Sequence, residues 1–160
     1  MVRINDLRFT LRAFLKTYRW RKVSPLPAAP LTRALSECRV ALVSSAGLVL
    51  PGDTPFDEGV RGGDPSYRII PADASVSGLE EHHRSDAFDH SGIAADRNCG
   101  LPLDRLHELA AEGYIKAVAP RHVSVMGSLT ATGRFVRDTC PEVADLLVSD
   151  HVDVALMVPV

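Results

Sequence analysis

The side chains best suited to chemistry collect between residues 82 and 99. His82, His83, Asp86, Asp89, His90 and Asp96 lie in this polar stretch, and Cys99 closes it. Histidine and carboxylate together supply acid and base groups that work near neutral pH. A thiol shortly before a helix amino end is biased towards thiolate, and Cys99 stands just ahead of a helix predicted to begin near Pro102. Cys38, before an apolar strand, and Cys140, at a Cys-Pro step, read as structural. Three widely spaced cysteines give neither a disulfide framework nor a C-x-x-C pair. The histidines and aspartates are also zinc or iron ligand types. No His-x-x-x-His pair sits on a clear helix, however, and adjacent His82 and His83 point to opposite sides of a strand. No metal and no cofactor are expected. The glycines at 59–63 lack the strand, Lys-Thr and helix context of a phosphate loop, and Ser44-Ser45 lacks the pattern of a nucleophile elbow.

The elements that must position these groups follow from periodicity. Residues 39–45 are a short apolar, β-branched run leading to Gly47, the pattern of a buried parallel strand entering a tight loop. Residues 67–71 predict a second strand, 115–119 a third and 152–158 a last one. Residues 102–113 predict a helix, with Pro102 at its start, Leu103, Leu106, Leu109 and Ala110 on one face, and Gly113 as its stop. Residues 130–149 read as helix interrupted at Pro141. The stretches 48–65 and 82–99 read as long surface loops. Strands alternating with helices predict an α/β fold with an open, mostly parallel sheet covered by helices and incomplete at its carboxyl end.

A chain of 160 residues with 46% hydrophobic content makes about one core. Residues 31–160 are read as that α/β domain, and residues 1–30 as a basic amphipathic helix with a proline-rich tether. In the latter, Arg3, Arg8, Arg12, Lys16, Arg19, Arg21 and Lys22 surround a stripe of Leu7, Leu11, Phe14, Leu15 and Tyr18, a helical face that packs on a domain or partner or lies on an anionic membrane. No apolar run reaches the roughly 20 residues of a transmembrane span, and the start lacks the organisation of a secretory signal, so a cytoplasmic protein is expected. A net charge of −2 does not favour nucleic acid.

Three stretches carry a family resemblance: 64–71 (Asp-Pro-Ser-Tyr-Arg-Ile-Ile-Pro); Phe88-Asp89 followed by 96–106 (Asp-Arg-Asn-Cys-Gly-Leu-Pro-Leu-Asp-Arg-Leu); and 122–127 (His-Val-Ser-Val-Met-Gly). In order and spacing they resemble the amino-terminal part of the glycine/sarcosine/betaine and D-proline reductase selenoproteins, from about residue 31 onward. The resemblance implies a selenolate or thiolate that attacks an activated carbon and displaces an amine, with dithiol carriers supplying electrons. That nucleophile would follow a strand equivalent to 152–158 and is absent from this sequence. It implies a small amine or amino-acid-like substrate, with Cys99, His90 and His122 as catalytic candidates and Asp64, Tyr67, Arg68, Asp89 and Asn98 around the substrate. His83 is not carried over, because the stretch from His82 to Asp89 is longer than the proline-reductase pattern.

As an enzyme such a chain is an oxidoreductase whose thiol comes from elsewhere, through a thiol-bearing partner or further residues. The alternative is a non-catalytic binding or assembly module that keeps the fold and pairs with a partner or with itself. One outcome separates a reactive Cys99 from a packing residue. A thiolate-selective reagent at neutral pH should label Cys99 faster than Cys38 or Cys140, and His90→Ala should slow that labelling by removing a nearby potential cation. Labelling of Cys99 only after denaturation would mark it as a packing residue.

Overall fold

The computed structural model describes residues 9–18, 24–25, 29–85 and 89–160, and contacts divide the chain into two units, Met1–Pro30 and Leu31–Val160. In the first, helix α1 (Phe9–Thr17) carries Lys16 in its last turn. There the Arg12 guanidinium lies 5.9 Å from the Phe9 ring centre. Arg3, Leu7, Arg8, Arg19, Arg21 and Lys22, and the side chains of Leu11 and Phe14, lie outside the described residues, as do Asp86 and Phe88.

The second unit contains, in chain order, β1 (Arg39–Ser44), β2 (Leu48–Val49), β3 (Tyr67–Pro71), β4 (Glu80–Glu81), α2 (Ser91–Ala95), α3 (Leu103–Ala111), β5 (Ala117–Val118), β6 (Arg121–Val125), α4 (Cys140–Ser149) and β7 (Val154–Val158). β1 is the hub. β7 pairs with it in parallel over Val40–Ser44, so β5 and β6, also parallel to it, share its other edge. β3 adds antiparallel to β6. β2 and β4 form a separate two-stranded sheet. The result is an α/β fold with a mostly parallel sheet, as the alternation of strands and helices predicts.

Between β5 and β6 the register on β1 advances by two residues, so the neighbouring chain bulges, with Pro120 in the bulge contributing no donor. The Leu42 N–H faces this gap. It donates to Nδ1 of His122 at 2.9 Å, so a side chain replaces the missing backbone acceptor. His122 has no solvent exposure. Its Nδ1 is an acceptor, so the neutral ring carries its hydrogen on Nε2, an atom with no hydrogen-bond partner among the described residues.

One face of the sheet is covered by Leu48, Ile93, Leu101, Leu103 and Leu106 against Val40, Leu42 and Ile70. On the other, Val43, Val123 and Val125 meet Tyr67, Phe135, Val143, Leu146 and Leu147. Arg121, at the start of β6, clasps Asp150 after α4 with Nε at 2.8 Å and Nη2 at 2.6 Å. This pair holds the Asp150 carboxyl below the ordinary carboxylate range.

Several elements differ from expectation. The stretch 82–99 is not all loop: it holds α2, anchored by buried Ile93, and a 3-10 turn at Arg97–Cys99. The strand expected over 115–119 pairs only at Ala117–Val118. Pro141 does not break the helix over 130–149. A π-helical turn at Phe135–Thr139 precedes α4, and Pro141 falls in the first turn of α4, where its missing N–H costs little.

Burial first, and then the like charge of His107, lowers the His122 pKa from 6.5 to about 4. Protons therefore favour the unfolded chain between these values: the stability is present above about pH 6.5 and lost as the pH falls towards 4. Urea unfolding should show a loss of roughly 2–3 kcal/mol between pH 7.5 and 4.5. His122→Asn, which keeps an acceptor for Leu42 but does not titrate, should flatten that slope; an unchanged slope would contradict the assignment.

Candidate functional site at the carboxyl ends of the strands

Open parallel sheets bind ligands beyond the carboxyl ends of their strands. Here β1, β6 and β7 all end at one place and are laced together there. Gly127 N–H donates to the Ser45 carbonyl at 2.9 Å, Gly47 N–H to the Val125 carbonyl at 3.0 Å, and Ser45 N–H to the Val158 carbonyl at 3.0 Å. The Ser45 hydroxyl accepts from Val160 N–H at 2.9 Å. Between these ends lies a cavity of about 330 Å³, whose wall includes Val43, Ser45, Gly127, Phe135, Met157 and Pro159. It is mainly apolar, so polar recognition must come from its rim.

Two glycines permit the rim to form. Gly47 has φ +66°, and a Cβ there would lie 3.1 Å from the backbone of His82 and His83. At Gly127 a Cβ would lie 2.8 Å from the Ser45 carbonyl oxygen and 3.1 Å from Nε2 of His83. The absent side chain lets His83 stand against the cavity wall. His83 is buried, and its Nδ1 accepts from Ser85 N–H at 3.3 Å. Its ring meets that of His90 edge-on, centres 6.1 Å apart. His90 pairs through Nδ1 with the Glu81 carboxylate and through Nε2 with the Ser85 carbonyl at 3.1 Å. Both nitrogens therefore face oxygen acceptors, an arrangement satisfied when both carry hydrogen. Burial, opposed by Glu81 and reinforced by the charge of His90, lowers the His83 pKa. Burial and the His90 charge thus favour the neutral form of His83.

Of the residues singled out from sequence, His90 stands in this cluster. None of Asp64, Tyr67, Arg68, His83 and His90 lines the cavity; His83 reaches its wall from behind, at Gly127. Asp64 accepts from Asp57 N–H and from Ser66 N–H and hydroxyl at 2.7–2.8 Å. Burial pushes its pKa up, but these bonds and Arg68 outweigh it and leave the carboxyl below its usual range. The Arg68 guanidinium lies 4.3 Å from the Phe56 ring centre and donates to the carbonyls of Thr54, Pro55 and Tyr67, pinning the preceding loop. Tyr67 packs beside Val43 and Val123. Asp89 caps α2 by accepting from Ser91 N–H at 3.0 Å, a contact that lowers its pKa. Asn98 bonds Asp96 and Asp104 beside exposed Cys99. Cys140 is also exposed, Cys38 is buried, and His122 sits inside the sheet. Sequence reasoning passed over Glu81, weighed His83 without carrying it into the site, and used Gly127 only as part of the 122–127 motif. The signal for the first two was the run Glu-Glu-His-His at 80–83.

The fold and this site define an α/β protein with an open sheet and a binding cavity at its strand ends. Over residues 4–159 the chain matches the family model of glycine/sarcosine/betaine reductase selenoprotein B, and it belongs to that family. It is similar to the D-proline reductase subunit gamma of Acetoanaerobium sticklandii, 37% identical over 136 residues that cover 84% of this chain and 54% of that protein. It is also similar to the sarcosine reductase complex component B subunit beta of Peptoclostridium acidaminophilum, 29% identical over 114 residues that cover 68% of this chain and 25% of that protein. The chain thus spans about half the length of the first relative and a quarter of the second. No solved structure matches. Among the described residues no helix is long and apolar enough to cross a membrane.

The rim's reliance on a missing side chain is testable. Gly127→Ala drives a methyl group against the Ser45 carbonyl and should cost about 1–3 kcal/mol in thermal or urea unfolding. Gly133→Ala, with nothing within 4 Å of the new methyl, should be neutral within roughly 0.5 kcal/mol. Equal effects would mean that the closeness at Gly127 is unimportant.

Proposed function

We propose that this chain is a reductase subunit that admits a small amine or amino-acid-like substrate to the cavity at the ends of β1, β6 and β7. The observation that carries this reading is the meeting of three strand ends with His83 at Gly127, in a chain of the selenoprotein B family. The reductive nucleophile, a selenolate or thiolate, comes from outside these 160 residues. It attacks the substrate carbon while the carbon–nitrogen bond breaks, and the leaving amine takes a proton. A dithiol then supplies the electron pair that frees the carbon product. His90, hydrogen-bonded to Glu81 and Ser85, is the proton donor in this scheme, and His83, its Nδ1 already accepting from Ser85 N–H, holds Nε2 against the Gly127 backbone of the cavity wall.

The other candidates take supporting roles. Asp64 and Arg68 hold the 52–66 loop, and Tyr67 packs beside Val43 and Val123; Asp89 accepts from Ser91 N–H beside His90; Asn98 ties the turn that carries Cys99 to Asp104; His122 holds β6 to β1. Cys99 is a reachable thiol rather than the reductive nucleophile. On this reading the chain works in the cytoplasm, needs no bound cofactor of its own and acts with a thiol-bearing partner.

The names of the relatives supply the probes. Calorimetric titration of the full chain with D-proline and with sarcosine should give saturable binding of at least one, with a dissociation constant near or below about 1 mM, roughly −4 kcal/mol. His83→Gln and His90→Gln should each weaken it at least about fivefold, or 1 kcal/mol. Absence of saturable binding for both compounds, or binding untouched by both substitutions, would overturn this reading.

A further inference from the structure

Strand β7 has the sequence Val-Ala-Leu-Met-Val, wholly apolar, the composition of a strand buried on both faces of a parallel sheet. Yet it is an edge strand whose one partner among the described residues is β1, and Leu156 and Met157 are 47% and 64% exposed. Val40 and Leu42 turn their backbone groups to the β5 and β6 side, so Ala41 and Val43, opposite Ala155 and Met157, face β7 and bond the residues on either side of those two, as Ser45 N–H does at the Val158 carbonyl. Backbone groups alternate along a strand, so Ala155 and Met157 direct their N–H and C=O away from β1. Natural edges are guarded by charge, proline or a bulge. The opposite edge strand, β3, contains Arg68 and Pro71, whereas β7 has no such guard. Beside Met157 the cavity of about 330 Å³ adjoins one of about 210 Å³, the two sharing Val43, Val125, Phe135 and Met157. Together they make one apolar trough along a single face of the sheet.

From these features we infer that β7 is the docking edge for a polypeptide segment of the reductase architecture that lies outside these 160 residues, which adds an apolar strand parallel to β7 and covers the smaller cavity of the trough. The partner is a polypeptide carrying the part of the family architecture that this chain does not match. The match reaches 54% of the D-proline reductase subunit gamma and 25% of the sarcosine reductase subunit, so the remaining 46% and 75% of those proteins lie outside it. A second copy is the poorer occupant. Brought in by a two-fold axis it pairs β7 antiparallel, whereas β1, β6 and β7 all run parallel and the composition of β7 suits a continued parallel sheet. This inference deepens the subunit reading given above but does not require that substrate bind.

Amide exchange followed by nuclear magnetic resonance on the full 160-residue chain tests it. The probe is a polypeptide made from the portion of the Acetoanaerobium sticklandii subunit that lies outside the match. At saturation the Ala155 and Met157 amides should exchange at least about tenfold more slowly, while those of Val154 and Leu156, which face β1, change little. Ala155→Pro removes only an outward donor, which an edge strand tolerates, and should weaken the probe at least tenfold with the circular dichroism of the free chain unchanged. Should that variant not fold, Leu156→Lys keeps every backbone donor and should give the same loss. Unchanged exchange at 155 and 157, undiminished probe binding by the folded variant, or protection of these amides that rises with the chain's own concentration in the absence of probe would each overturn the inference. None of these outcomes depends on whether D-proline or sarcosine binds.

Discussion

The hydrogen bond from Leu42 N–H to Nδ1 of His122 is the constraint on which the sheet depends. β1 is paired along both edges, and the bulge between β5 and β6 takes away the backbone acceptor that Leu42 would otherwise meet. Leaving a buried amide unsatisfied costs about 1–3 kcal/mol. The imidazole meets that need only while Nδ1 is unprotonated, and complete burial keeps it so to about pH 4. With Leu42 held, β6 returns to register at Val43 and Ser44. Both strands then deliver Ser45 and Gly127 to the same point.

The polar residues of the domain divide according to what they serve. Arg68 and Asp64 spend their hydrogen bonds on the chain around 54–66, and Arg121 and Asp150 tie β6 to the end of α4. Glu81 pairs with His90, His90 meets the His83 ring, and His83 alone of the three reaches Gly127. A charged or polar residue inside a family motif is therefore not by itself a substrate contact. The chain's place in the selenoprotein B family is consistent with both groups, since a site must be held as well as lined.

Much of the fold was legible because its signals were local. β1, β3, β7 and α3 each show their own periodicity, and the order of strands and helices implied the parallel sheet. What escaped depends on distant partners. α2 is five residues long and rests on one buried side chain, Ile93, too short to show a helical period. β2 and β4 are two-residue strands that exist through each other. β6 has strict alternation, but its inward positions include His122 and Ser124, polar types that do not announce a core strand. The π turn before α4 relieves the Cys-Pro step by widening the helix, which composition does not reveal. At the site, the density of histidine and acid was legible, whereas the choice of His83 over His122 as the residue at the cavity required the register of β6 on β1.

The central claim is that His122 holds the sheet while His83 and His90 serve the cavity. Nitrogen-detected magnetic resonance of the imidazole rings, recorded from pH 4 to 8 with and without D-proline or sarcosine, tests it directly. The account predicts that His122 remains the neutral Nε2–H tautomer down to about pH 4, with Nδ1 as acceptor and no response to ligand, while the signals of His83 and His90 move with ligand. A His122 ring that titrates near 6.5, or that shifts with ligand while His83 and His90 stay fixed, would contradict it.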